Sequence, residues 1–173
     1  MAECLHLAGR VVGAGRPCLI IAEAGVNHNG DVELAHRLVD AAHRAGADVV
    51  KFQSFVTEEL ITPDAPKADY QVRTTGGGGT QFEMLQGLEL REAVHRELMT
   101  HCEDVGILYF CTPYDRPSVD MLDRLGVCGY KIASTDTTNT PLLRYIAGKG
   151  RPAILSTGMS NLGEVEEAVR ALE

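Results

Sequence analysis

Between Cys18 and Gly30 the chain passes from an apolar run, Leu19 to Ala22, into a carboxylate, Glu23, and a polar turn holding Asn27, His28 and Asn29. The run has the length of a buried strand. Asp31 then stands where a helix N-cap belongs, ahead of Ala35, Leu38, Val39 and Ala42 on one helical face. A carboxylate at the C-terminal end of a buried strand, just before a βα loop, is where parallel α/β folds put their chemistry. The same pattern recurs along the chain, each strand ending in polar groups: Lys51 and Gln53, then Thr112, then Lys131 and Ser134, then Ser156 and Thr157.

This repetition fixes the expected layout. A β-hairpin over residues 1–15 precedes strands at Cys18–Glu23, Asp48–Gln53, Ile107–Cys111, Cys128–Ala133 and Ala153–Ser156, each followed by a helix. Helices end at Gly46, Gly106 and Gly126, and Pro117 suits the start of another. Phe55 to about Glu83 reads as a long irregular segment, with a flexible glycine run at Gly76 to Gly79. Alternating strands and helices indicate a parallel sheet covered by helices. No Gly-x-Gly-x-x-Gly follows the first strand, which argues against a dinucleotide fold. Polar groups at every strand end fit a (β/α)8 TIM-barrel type, of which residues 16–173 hold about five units. The chain is therefore expected to be the N-terminal part of a longer protein, or to complete its sheet with another chain.

Composition narrows the chemistry. A formal charge of −8 and the lack of a basic run argue against nucleic acid. No apolar run approaches a membrane span and no signal pattern opens the chain, so a cytoplasmic location is expected. The five cysteines form no C-x-x-C pair and no zinc spacing. Any anion site must gather its cations locally, and two of the four lysines, Lys51 and Lys131, lie within or at the ends of strands.

Strand side chains alternate faces, so Glu23, Lys51, Gln53, Thr112, Lys131 and Ser156 converge at one mouth if their parity marks the barrel interior. A lysine within a buried strand costs several kcal/mol unless paired or ligated. Two of them beside a carboxylate suggest a pocket for a doubly anionic ligand. The competing reading pairs each lysine with a surface acid just past its strand. Cys111 has the opposite parity and is expected to pack against helices. His28 either binds substrate or stabilises its turn. His36, His43, His95 and His101 are expected on helix surfaces or in helix packing, and Asp115 as a helix cap. Asp136 is a catalytic candidate, with loop capping as its rival.

Glu23-Ala-Gly-Val-Asn-His-Asn-Gly30, Lys51-Phe-Gln53, Phe82-Glu-Met-Leu85, Thr112-Pro-Tyr-Asp115, Lys131-Ile-Ala-Ser134 and Ser156-Thr-Gly-Met159 together resemble the sialic acid synthases. That group of N-acetylneuraminate synthases includes the legionaminate and pseudaminate synthases. The resemblance covers nearly the whole chain, in order. It implies condensation of phosphoenolpyruvate with an open-chain N-acylated amino sugar aldehyde of the N-acetylmannosamine type, giving a nonulosonic acid and phosphate. It further implies that Lys51, Thr112, Lys131, Ser134 and Ser156 hold phosphoenolpyruvate, that Gln53 touches the sugar and that Glu23 is a catalytic carboxylate. Asp136 stands where many bacterial members have glutamate. The family uses a divalent metal, Mn or Mg, bound by histidines on later strands. It also carries a C-terminal antifreeze-like domain that reaches into the partner's barrel in a homodimer. Neither those strands nor that domain is present in these 173 residues.

Three readings follow. The first is the N-terminal barrel segment of such a synthase. The second is a truncated, non-catalytic anion-binding or assembly protein derived from one. The third is an aldolase acting through a lysine Schiff base. A reading frame that continues into three more strand–helix units favours the first, and a natural stop the second.

Overall fold

The architecture begins with a hairpin, β1 (Leu5–Leu7) and β2 (Arg10–Val12), paired antiparallel. Its two-residue turn takes positive φ at Ala8 and Gly9, 45° and 82°, as a twisted hairpin requires. Five parallel-sheet strands follow: β3 (Ile21–Gly25), β4 (Val49–Ser54), β5 (Leu108–Pro113), β6 (Tyr130–Ile132) and β7 (Ala153–Leu155). The principal helices are α1 (Val32–Arg44), α4 (Glu92–Val105), α5 (Arg116–Leu125), α6 (Thr140–Ala147) and α7 (Leu162–Leu172). This is a computed structural model, and it describes residues 4–67, 71–73 and 78–173.

The helices begin and end for local reasons. Asp31 accepts a hydrogen bond from Leu34 N–H at 3.1 Å, and Asn161 and Glu164 form a reciprocal capping box at the start of α7. Gly106 and Gly126 end α4 and α5 in the left-handed region, at φ 80° and 79°. The segment expected to be irregular is partly helical instead. It contains α2 (Thr57–Leu60) and α3 (Gln81–Gln86), the latter opened by a Thr80–Glu83 capping box. Gly76 and Gly77, half of the expected flexible glycine run, lie outside the described residues.

Side-chain parity divides the sheet into two faces. Val50, Phe52, Tyr109, Cys111, Tyr130 and Ile132 are buried against the helices, in a core with Val39, Leu98, Leu122 and Leu143. The opposite face carries a second cluster in which Leu7, Val49 and Phe110 are buried, flanked by Ile21, Leu108 and Ile154. The hairpin thus plugs the interior at the N-terminal ends of the strands. Asp48 fastens it there by pairing with Arg10, while its other oxygen accepts from Ile20 N–H at 2.8 Å. Two residues further along β4 and β5 the interior turns from apolar to polar, at Lys51 and Thr112.

One ladder joins β3, β4 and β5, and a second joins β6 and β7. The alternation of strands and helices predicts a parallel sheet, and both ladders are parallel. β5 and β6 touch without sharing a ladder. The close approach falls at Gly129, where a Cβ would stand 2.8 Å from Pro152 O and 3.0 Å from the tip of the Phe110 ring. Gly129→Ala is expected to destabilise the fold by roughly 1–3 kcal/mol through overpacking, read as a lower midpoint in denaturant unfolding.

Candidate active site

The site is assembled at the C-terminal ends of the strands. Glu23 on β3 sits opposite Lys51 on β4 in the parallel register. The register then slips, so that Gly25 rather than Ala24 pairs with Phe52, with Gly25 at φ 55°. Such an irregularity re-aims the side chains beside it. Ala24 turns into the helix-side core, while the Glu23 carboxylate stays 59% exposed and ion-pairs with Lys51, whose side chain is only 6% exposed. The buried lysine is therefore satisfied by a carboxylate at the mouth.

Lys131 arrives from β6 with its ammonium donating to Ser156 Oγ at 2.6 Å and to Ile132 O at 3.0 Å. Burial lowers its pKa below the ordinary lysine value, the Lys51 charge lowers it further, and Glu23 opposes both. Glu23, Lys51, Lys131 and Ser156 thus form one electrostatic group. Thr112 lies opposite Gln53 in the β4–β5 register, and its Oγ1 is buried without a protein hydrogen-bond partner. Ser134 opens a 3₁₀ turn, Ser134–Asp136, and packs against the loop after β7. A Cβ on Gly158 would stand 3.3 Å from the Ser134 hydroxyl.

Asp136 is arranged differently. Its Oδ1 accepts from Asn139 Nδ2 at 3.1 Å, Oδ2 is buried without a partner, and burial raises its pKa. Among the described residues it ion-pairs with neither lysine. Asp115 is a cap, accepting from Ser118 N–H at 2.7 Å, and its second oxygen also accepts from Val56 N–H at 2.6 Å. Cys111 is fully buried on the helix side, where its pKa is pushed up to about 12.

His28 is wholly buried; its Nδ1 accepts from Gly30 N–H at 3.0 Å within the turn, and its Nε2 is buried without a partner. The ring packs near Phe52, which stacks on Tyr109, which in turn meets His95 Nδ1 at 2.6 Å. His36 and His101 pack edge to face between α1 and α4, paired with Glu97 and Asp40. His43 is exposed.

His95 yields a pH prediction. Burial and the nearby His28 depress its folded-state pKa to about 4, against an ordinary value of 6.5. Between those values the unfolded state binds the proton more readily, so stability is complete above about pH 6.5 and falls as pH drops toward 4. The loss amounts to about 3 kcal/mol. Denaturant melts at stepped pH check this, and His95→Gln should flatten the slope in that window.

A cavity of about 740 Å³ adjoins the mouth. Asn27, Asn29 and Gln53 line one side, and Gln81, Leu85 and Leu88 line another. Among the described residues, none of its lining side chains is charged. This wall went unrecognised in the sequence, although Thr80-x-x-Glu83 is the pattern that starts a helix there.

Among the described residues no group of three or more His, Cys, Asp or Glu side chains is placed to hold a metal ion. The resemblance places the histidines that would hold its divalent metal on later strands, beyond these residues. No helix is long and apolar enough to cross a membrane.

Comparison with known proteins bears on this geometry. The NeuB family model matches residues 38–173. The chain is 50% identical over 154 residues to the N,N'-diacetyllegionaminic acid synthase of Campylobacter jejuni, which covers 89% of this chain and 46% of that protein. It is 36% identical to the human N-acetylneuraminate-9-phosphate synthase over 165 residues, 95% of this chain and 46% of the other. A crystal structure of the sialic acid synthetase from Leptospira borgpetersenii, in complex with citrate, aligns with a TM-score of 0.85 at 33% identity, over 99% of this chain and 55% of that one. The chain thus spans about half the length of the curated relatives it matches.

Proposed function

This chain belongs to the NeuB family, and from that premise we propose that it supplies the phosphoenolpyruvate-binding part of a synthase making a nonulosonic acid. The reaction joins phosphoenolpyruvate to the aldehyde of an N-acylated amino sugar and releases phosphate. The observation that carries the reading is the convergence of Lys51 and Lys131 with Glu23 and Ser156 at one mouth. Two ammonium groups with hydroxyl donors beside them suit a ligand bearing both phosphate and carboxylate. Relatives bearing synthase names support the assignment.

The chain's own residues account for several steps. Lys51, Lys131 and the hydroxyls of Thr112, Ser134 and Ser156 hold the anion and orient its enol carbon toward the aldehyde. Carbon–carbon bond formation leaves positive charge at C2 of the former enol, and the aldehyde oxygen takes up a proton. Glu23, exposed at the mouth, stabilises that charge or positions the water that adds to C2. The C–O bond to phosphate then breaks, and the lysines favour its departure. Gln53 faces the sugar side. Asp136, held by Asn139 and away from the lysines, is the second choice for the carboxylate role. In the complete protein a divalent metal and a homodimer partner belong to the proposal, the metal's ligands lying outside this chain.

The test is consumption of phosphoenolpyruvate by the full-length protein, with N-acetylmannosamine and with diacetamido sugars as acceptors. Acceptor-dependent release of phosphate is the expected result. Binding of phosphoenolpyruvate without turnover on any acceptor would favour the non-catalytic reading. Borohydride trapping of a carbonyl substrate on Lys51 or Lys131 would favour the Schiff-base one.

A further inference from the structure

We propose that Thr137 is a positioning residue of the anion site, its hydroxyl strapping together the two strand ends that carry Ser134 and Ser156. This rests on the synthase reading above and concerns what sets the spacing of two hydroxyls assigned to phosphoenolpyruvate.

The need for a strap follows from the shortness of the strand pairing. The β6–β7 ladder has three residue pairs, from Tyr130 with Ala153 to Ile132 with Leu155, and is followed by a bond from Ser156 N–H to Ile132 O at 3.0 Å. Beyond it the chain leaves β6 through Ala133 and enters the 3₁₀ turn. The ladder therefore does not fix the distance between Ser134 and Ser156. Thr137 follows that turn directly and is 1% exposed. Its Oγ1 lies 2.9 Å from Ser134 O and 3.0 Å from Ser156 O, with one proton to share between them. The first contact spans three residues and is the ordinary local bond of a threonine in a turn. The second crosses to the end of β7 and gives the Ser156 carbonyl a donor where the ladder has stopped. The two ends are closely set, because a Cβ on Gly158 would stand 3.3 Å from the Ser134 hydroxyl. Ser156 Oγ in turn accepts from Lys131 at 2.6 Å. A shift of the Ser156 backbone thus moves a hydroxyl and loosens the ammonium that it holds.

The experiment titrates phosphoenolpyruvate into the full-length protein by calorimetry. Thr137→Val keeps the shape of the side chain and removes the donor. It should weaken binding at least about tenfold, the scale of one hydrogen bond to a charged group. KM for phosphoenolpyruvate should rise in step, with KM for the sugar acceptor unchanged. Thr137→Ser keeps the hydroxyl and should bind within about threefold of the unaltered protein. In a Ser156→Ala background, Thr137→Val should weaken binding by at most about threefold, since the hydroxyl that it positions is already gone. Should Thr137→Val not fold, Thr137→Ala takes its place in the same comparison. A lowered melting midpoint with unchanged phosphoenolpyruvate affinity would overturn the inference, as would unfolding of both hydroxyl-free variants. So would a tenfold loss in Thr137→Ser, or a full tenfold effect of Thr137→Val in the Ser156→Ala background. No binding of phosphoenolpyruvate by the unaltered protein would instead overturn the reading of the mouth on which the inference stands.

Discussion

Glu23→Gln is expected to leave phosphoenolpyruvate binding near normal in the full-length protein while turnover falls at least about a hundredfold, the low end for a positioned acid–base group. Glutamine keeps the size of the side chain, and its carbonyl can still accept a hydrogen bond from Lys51, so the buried ammonium is not stranded. What disappears is the fixed negative charge at the mouth, where positive charge develops during the reaction. Thermal melts should show a folded protein. Steady-state kinetics should then show the loss in kcat, with little change in phosphoenolpyruvate affinity. Full activity would mean that Glu23 serves only as the partner of Lys51, and the carboxylate role would pass to Asp136.

Lys131→Ala should have the opposite signature. Its ammonium binds Ser156 Oγ and Ile132 O, and no carboxylate of the described residues pairs with it directly. A charged hydrogen bond of this kind contributes roughly 1.5–3 kcal/mol, which corresponds to about a tenfold to hundredfold loss of phosphoenolpyruvate affinity. The fold should survive, because Lys131 is only half-buried and carries like-charge repulsion from Lys51 that the substitution relieves. Calorimetric titration reads the affinity, and a melt reads the fold. Unfolding with unchanged affinity would make Lys131 a structural residue.

Much of this arrangement was legible because strands keep a period of two. Val49 and Lys51, Leu108, Phe110 and Thr112, and Ile154 and Ser156 could be assigned to one face from alternation alone, and Cys111 to the other. The hairpin could be read from its turn. Its task could not, since nothing local in Leu5 or Leu7 announces that they close the interior from below. The ion pair between Glu23 and Lys51 was likewise hidden, because it depends on register between two strands and on the slip at Gly25. The partners of Asp136 were not legible either. Sequence places it two residues beyond Ser134, while the 3₁₀ turn gives one of its oxygens to Asn139 and leaves the other buried without a partner. The wall around Gln81 and Leu85 was missed for a different reason. A six-residue helix has too few turns to show periodicity, and only its capping pattern marks it.

The central claim is that phosphoenolpyruvate sits on Lys51 and Lys131, and lysine footprinting tests it most directly. Lys131 is half-buried with a lowered pKa, so more of it is neutral and nucleophilic than of an ordinary surface lysine. An amine-reactive acylating reagent, with sites read by mass spectrometry, should modify Lys131 in the free full-length protein. Saturating phosphoenolpyruvate should then protect it while Lys67 and Lys149 react as before. Equal modification of Lys131 with and without phosphoenolpyruvate would contradict the account.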